Sequence, residues 1–114
     1  MESKQLVEEV AKGCDDKRAE GIVVLDMREV SLIADYFLIC DGSNERQVQA
    51  IAREVKDIAD EHNIEIKRME GFEQARWVLV DMGDIVCHIF HRDERSYYNL
   101  EKLWGDAPQL EVKL

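Results

Sequence analysis

Four side chains near the end of the chain could ligate a metal or move a proton: Asp81, Asp84, His88 and His91. Such chemistry needs the groups to converge on one point. His88 and His91 stand three apart in a stretch that reads as a strand, where successive side chains alternate faces, so they point to opposite sides. Asp81 and Asp84 flank Met82-Gly83, and aspartates beside a turn serve its backbone conformation. Cys87 next to His88 suggests a thiol nucleophile, but a reactive thiolate wants an electropositive, partly exposed setting. Cys87 falls instead among apolar residues, as does Cys40. With Cys14 they make three cysteines without a C-x-x-C pair, so neither a disulfide framework nor a structural zinc site is expected.

Gly42-Ser43 lies after one apolar run and before a helical pattern, where nucleotide-transferring enzymes place a phosphate-holding loop. That chemistry also needs paired carboxylates to hold magnesium around the triphosphate. The chain continues Asn44-Glu45-Arg46-Gln47-Val48-Gln49-Ala50 with no D-x-D pair downstream. The glycines of a P-loop are missing as well. The reading is a plain strand-to-helix turn, with no catalytic, cofactor-binding or metal residues expected.

The elements that would position these groups follow from the apolar pattern. Leu6, Val7, Val10, Ala11 and Cys14 form one helical stripe over residues 5–17, with Ser3 as its cap. Gly13 should cost that helix about 1 kcal/mol against alanine. Residues 21–26 and 35–40 are apolar runs of strand length. Asn44 is expected to cap the second helix, with Gln47 completing a capping box. Val48, Ile51, Ala52, Val55, Ile58 and Ala59 give its buried stripe until a stop near His62-Asn63. Residues 64–69 read as a third strand, residues 76–81 and 84–90 as a hairpin turning at Met82-Gly83, and 97–104 as a last helix. The order αββαβββα implies a single α/β domain, a mixed five-stranded sheet with helices packed on it, over residues 1–105, with a polar tail at 106–114.

If Asp81 lies opposite Asp84, Val80 faces Ile85, Leu79 faces Val86, Val78 faces Cys87 and Trp77 faces His88. One face then carries Val78, Val80, Ile85, Cys87 and Ile89 and suits a core. The other carries Trp77, Leu79, Asp81, Asp84, Val86 and His88. That mixed face is either a half-buried sheet surface beneath the last helix or a protein-binding patch, an aromatic anchor with acidic groups around it. A slip of one residue in register would exchange the faces.

The charge bears on the partner. With 114 residues, 46% hydrophobic and 35% charged, the chain fits one soluble domain. Its 25 acidic and 15 basic residues give a net charge of −10. A large phosphate footprint needs clustered Lys and Arg, so a basic protein surface is the better partner and little direct RNA contact is expected. No apolar run approaches the roughly 18 residues of a membrane span, and Met1-Glu2-Ser3-Lys4-Gln5 lacks a signal-peptide layout. A cytoplasmic location is expected.

Several stretches closely resemble the ribosomal silencing factor family (RsfS, also called Iojap). They are Ile33-Ala34-Asp35-Tyr36-Phe37-Leu38-Ile39-Cys40, Ser43-Asn44-Glu45-Arg46-Gln47-Val48-Gln49-Ala50-Ile51-Ala52, and Glu70-Gly71. Ala75-Arg76-Trp77-Val78-Leu79-Val80-Asp81-Met82-Gly83-Asp84-Ile85-Val86-Cys87-His88-Ile89-Phe90 and Tyr97-Tyr98-Asn99-Leu100-Glu101-Lys102-Leu103-Trp104 complete the match, in order and over nearly the whole chain. The resemblance implies a nucleotidyltransferase-like fold without the catalytic carboxylates. It also implies binding to large-subunit ribosomal protein fourteen, where steric exclusion stops the subunits joining and represses translation under nutrient limitation. Organelle relatives are tied to large-subunit assembly, which is the alternative role; a cryptic nucleotidyltransferase using Ser43 is the enzymatic one. Carried over, Trp77 is the main partner-binding residue, with Glu70, Leu79, Asp81 and His88 in support. Off the ribosome, the same face could pair two copies as a homodimer.

Overall fold

The structure, a computed structural model, describes residues 2–98 and 105–114. Along the chain run α1 (Ser3–Asp16), β1 (Glu20–Asp26), β2 (Tyr36–Gly42), α2 (Glu45–Glu61), β3 (Arg68–Glu70), β4 (Trp77–Asp81), β5 (Ile85–His91), α3 (Arg92–Tyr98) and β6 (Gln109–Leu110). The strands form one six-stranded sheet in the order β3-β4-β5-β2-β1-β6. Only β2 and β5 pair in parallel; the other neighbours are antiparallel.

The sixth strand corrects the expected five. Gln109 and Leu110 pair with Leu25 and Val24, and Pro108 accepts a hydrogen bond from the Asp26 amide at 2.7 Å. So short a strand has no hydrophobic alternation to reveal it; backbone groups supplied by β1 make it. The third strand is shorter than expected. Ile64 bonds back to the Ala59 carbonyl at 2.8 Å, finishing α2, and Asn63 takes the positive φ that helix ends favour. Ile64 and Ile66 pack on the core from outside the ladder.

Both long helices form for the reasons visible in their patterns, with two differences at their starts. Helix α1 begins at Ser3, and the residue in the cap position is Glu2. The Ser3 hydroxyl instead donates to Asp35 Oδ2 at 2.9 Å, tying the helix to the β1–β2 connection. In α2, Asn44 accepts from the Gln47 amide at 2.8 Å as a cap should. Gln47 reaches back one residue further than a capping box, to the Ser43 amide and hydroxyl at 2.7 and 2.8 Å. Its amide nitrogen also donates to the Lys17 and Arg18 carbonyls, so one side chain joins both helices and occupies Ser43. The expected last helix begins within α3, but Leu100, Glu101, Leu103 and Trp104 lie outside the described residues.

Helices α1 and α2 cover one face of the sheet, and their apolar stripes meet Val24, Leu38, Cys40, Val78, Val80, Ile85, Cys87 and Ile89 in the main core. The helices cross at Gly13, where a Cβ would lie 2.5 Å from Ile58 Cδ1 and 3.2 Å from Glu54 Cγ. The glycine that weakens α1 locally is what lets α2 approach. On the opposite face a smaller cluster gathers Leu25, Met27, Ile39, Phe90 and Ala107, with Val23, Phe37 and Trp77 packed against it. We expect Gly13→Leu to force the helices apart and lower stability by roughly 1–3 kcal/mol, as overpacked cores do; urea unfolding reads this as a lower midpoint at unchanged slope.

Candidate functional site

The hairpin that carries the candidate residues turns one step later than its sequence suggests. The Met82 amide bonds the Ile85 carbonyl at 2.9 Å, so Gly83 and Asp84 are the turn residues in place of Met82 and Gly83. Gly83 has φ +90. A two-residue turn with glycine first needs positive φ there, which a methionine would resist. Asp81 Oδ1 accepts from the Gly83 amide at 2.8 Å, an aspartate turn of the kind such side chains favour. The Asp84 carbonyl accepts from the Asp35 and Tyr36 amides at 2.7 and 3.1 Å, tying the turn to the start of β2.

Asp81 therefore stands opposite Val86 and Trp77 opposite Phe90, in place of the expected Asp84 and His88 partners. The displacement is two residues. Because side chains alternate with period two, an even shift keeps every residue on its face. Val78, Val80, Ile85, Cys87 and Ile89 do lie in the helix-covered core. Trp77, Leu79, Asp81, Val86 and His88 share the other face, while Asp84 is drawn into the turn.

On that outer face the paired residues form rows across the sheet. One row runs Glu70, Leu79, His88, Ile39, Val23 from the β3 edge inward. The next runs Arg68, Asp81, Val86, Phe37, Leu25. Trp77 and Phe90 begin a third. Strands about 4.8 Å apart thus bring Glu70, Trp77, Leu79, Asp81 and His88 into one compact area beside the β3 edge.

Their settings differ. Trp77 is half-buried and stacks on Phe90, with centroids 5.2 Å apart and 27° between planes. Its indole N–H donates to His88 Nδ1 at 3.2 Å. His88, expected as a contact, is only 6% exposed; Phe37 meets it edge-on at 4.9 Å. An imidazole that accepts at Nδ1 carries its proton on Nε2, and this Nε2 is buried with no hydrogen-bond partner among the described residues. Burial pushes the His88 pKa down to about 4, because an imidazolium would be stripped of water. His88 is thus a neutral support beneath Trp77.

The acidic edge is real but partly internal. Arg68 lies between Glu70 and Asp81, its nitrogens 3.4 Å from Glu70 Oε1 and 3.7 Å from Asp81 Oδ2. Such exposed pairs contribute little stability, so two carboxylates facing one guanidinium leave net negative charge at the rim. Arg68 was missed in the sequence, since the length and register of β3 were not legible there. Phe90 and Phe37 were missed too. The alternation that placed Trp77 and His88 together would have placed Phe90 with them, whereas Phe37 needed the parallel β2–β5 pairing. Gly71 sets the approach to β4: at φ +78, a Cβ would lie 2.2 Å from the Trp77 carbonyl oxygen.

The other chemistry-bearing residues do not converge here. His91 is buried at the far end of β5, where its Nδ1 accepts from the Asp93 amide at 3.2 Å and helps begin α3. Cys14, Cys40 and Cys87 are all buried free thiols, and burial raises the Cys87 pKa far from reactivity.

Comparison with known proteins gives one consistent outcome. A family model described as ribosomal silencing factor during starvation matches residues 1–114. A ribosomal silencing factor from Bacillus subtilis strain 168 is 67% identical over 108 residues, spanning 95% of this chain and 92% of that protein. A crystal structure of a Bacillus halodurans protein superposes with a TM-score of 0.86 at 56% identity, covering 96% of this chain and 100% of that one. A chloroplastic Iojap protein of Arabidopsis thaliana is 31% identical over 111 residues, but those span 97% of this chain and 46% of that longer protein.

Two outcomes follow for the site's stability. Gly71→Ala should cost roughly 1–3 kcal/mol, since the side chain adopts a strained φ and meets backbone, and thermal unfolding should show it. His88 stays neutral when folded down to about pH 4, while the unfolded chain takes up its proton below the ordinary 6.5. The unfolded state then binds more protons, so stability falls as pH drops through that window. The loss reaches roughly 3 kcal/mol, read as wild type minus His88→Leu in urea unfolding across the window; parallel pH profiles would contradict it.

Proposed function

The chain belongs to the ribosomal silencing factor family, and on that premise we propose that it binds large-subunit ribosomal protein fourteen through the outer face centred on Trp77. Occupying the surface that meets the small subunit, it prevents the subunits from joining and represses translation when nutrients are scarce. The observation that carries this reading is the outer face itself. A half-buried indole, stacked on Phe90 and hydrogen-bonded to His88, sits beside Leu79 with Glu70 and Asp81 at the rim.

An anchored aromatic flanked by aliphatic surface is what dominates binding energy at protein interfaces. Acidic rim groups speed encounter with a basic surface and reject other acidic ones. The net charge of −10 acts in the same sense and discourages direct RNA contact. Exclusion needs no chemistry. A body of 32 × 32 × 26 Å seated on a joining surface holds the second subunit away by its thickness. No helix among the described residues is long and apolar enough to cross a membrane, and a cytoplasmic, ribosome-bound protein is the setting we assign.

Trp77→Ala should weaken co-sedimentation with free large subunits by at least about thirtyfold, the scale of an interface hot spot of ~2 kcal/mol or more. Circular dichroism should show the domain still folded. Unchanged affinity would remove Trp77 from the interface; intact subunit joining with the wild-type protein in excess would remove the function.

A further inference from the structure

We infer that His88 is a positioning residue for recognition: its neutral Nδ1 accepts the Trp77 indole N–H and holds the ring in the orientation presented to the partner. The inference rests on the reading of Trp77 as the anchor of the binding face.

His88 cannot itself be the contact. It is 6% exposed, edge-on to Phe37 and next to the tryptophan ring, with centroids 6.0 Å apart. Any effect it has on a docked partner passes through Trp77. Stacking on Phe90 at 5.2 Å and 27° fixes the plane of the indole but restrains rotation within that plane weakly, because stacking is tolerant of offset. The ring has one polar atom, Nε1, and its 3.2 Å hydrogen bond to His88 Nδ1 is a directional contact that sets where that edge of the ring points. A ring held beforehand loses less freedom on binding than one that must be ordered then.

The choice of histidine at this position points the same way. Leu79 and Ile39 flank His88 across the sheet, so an aliphatic or aromatic side chain would suit the local packing. Histidine instead leaves its Nε2–H buried without an acceptor among the described residues. Unmade hydrogen bonds of this kind are costly and rare in native proteins. A residue that served only packing would not carry one. What histidine supplies that leucine cannot is an acceptor at Nδ1.

The same geometry requires the neutral ring. A proton on Nδ1 would set N–H against N–H and break the contact. Among the described residues, the charged groups of the strands on this face are Arg68 and Glu70 on β3, Asp81 on β4, Asp41 on β2 and Glu20 opposite it on β1. Arg68 pairs with Glu70 and Asp81, and Asp41 with Arg95 of α3, and no bond joins any of them to the imidazole among the described residues. Burial alone keeps His88 uncharged.

The test compares three variants in co-sedimentation with free large subunits. His88→Leu is expected to bind about tenfold more weakly, the scale of one side chain left unordered. His88→Asn, whose carbonyl oxygen can stand where Nδ1 stood, should recover most of that loss. Nitrogen-15 spectra of the wild-type ring at neutral pH should show a bare Nδ1 and a protonated Nε2, with slow exchange of the Trp77 indole proton. If His88→Leu binds as wild type while Trp77→Ala does not, the face stands and the positioning role is wrong. Equal losses in Leu and Asn would assign the effect to packing and overturn the inference. If Trp77→Ala binds normally, the reading of the face itself falls. Should His88→Leu fail to fold, the ring spectra decide: a protonated Nδ1 overturns the inference.

Discussion

The parallel pairing of β2 with β5 is the constraint on which the rest of the molecule depends. From Tyr36 against Ile85 to Gly42 against His91, it joins two strands far apart in sequence. Parallel neighbours need a long crossover, and α2 with the β3–β4 segment supplies it. The pair lies at the centre of the sheet, so both its faces are shielded; every residue of β5 is buried. Antiparallel partners then complete each side, β4 and β3 beyond β5, and β1 and β6 beyond β2.

Burial on both faces gives the two sides different work. The helix-covered side is purely apolar at its centre, and its dense packing supplies the stability. The other side mixes Phe37, Phe90 and Trp77 with His88 and Asp81. Polar groups held at that depth cost stability unless bonded. Asp81 is satisfied by the Gly83 amide, and His88 is only half satisfied, through Trp77. Local rules of sequence and packing are most often broken at functional sites, and one such departure here lies beneath the half-buried Trp77.

The turn at Gly83-Asp84 shows how local and long-range preferences combine. Positive φ at Gly83 and the aspartate turn at Asp81 choose the hairpin's register from within, while the Asp84 carbonyl, shared by the Asp35 and Tyr36 amides, binds that choice to the β2 start. At the same end of the β1–β2 connection, the Asp35 side chain accepts from the Ser3 hydroxyl of α1. Elements distant in sequence thus converge at one end of the sheet, and the outer face carrying Trp77 is aligned by that convergence.

The amino-acid sequence by itself determined the elements and the faces. Apolar spacing marked α1 and α2, and Asn44 marked the start of the second. Alternation put Trp77, Leu79, Asp81 and His88 together even though the pairing was two residues off, since parity survives an even shift. The tertiary structure alone decided what alternation cannot carry. It made β6 from backbone pairing, and placed Phe37 beside His88 through a parallel neighbour. It also seated Arg68 between Glu70 and Asp81. Above all it decided the burial of His88, which in sequence is a polar residue on a mixed hairpin face. Whether such a ring meets solvent or lies sealed beneath a tryptophan depends on atoms brought from other strands, and burial is a property of that assembly.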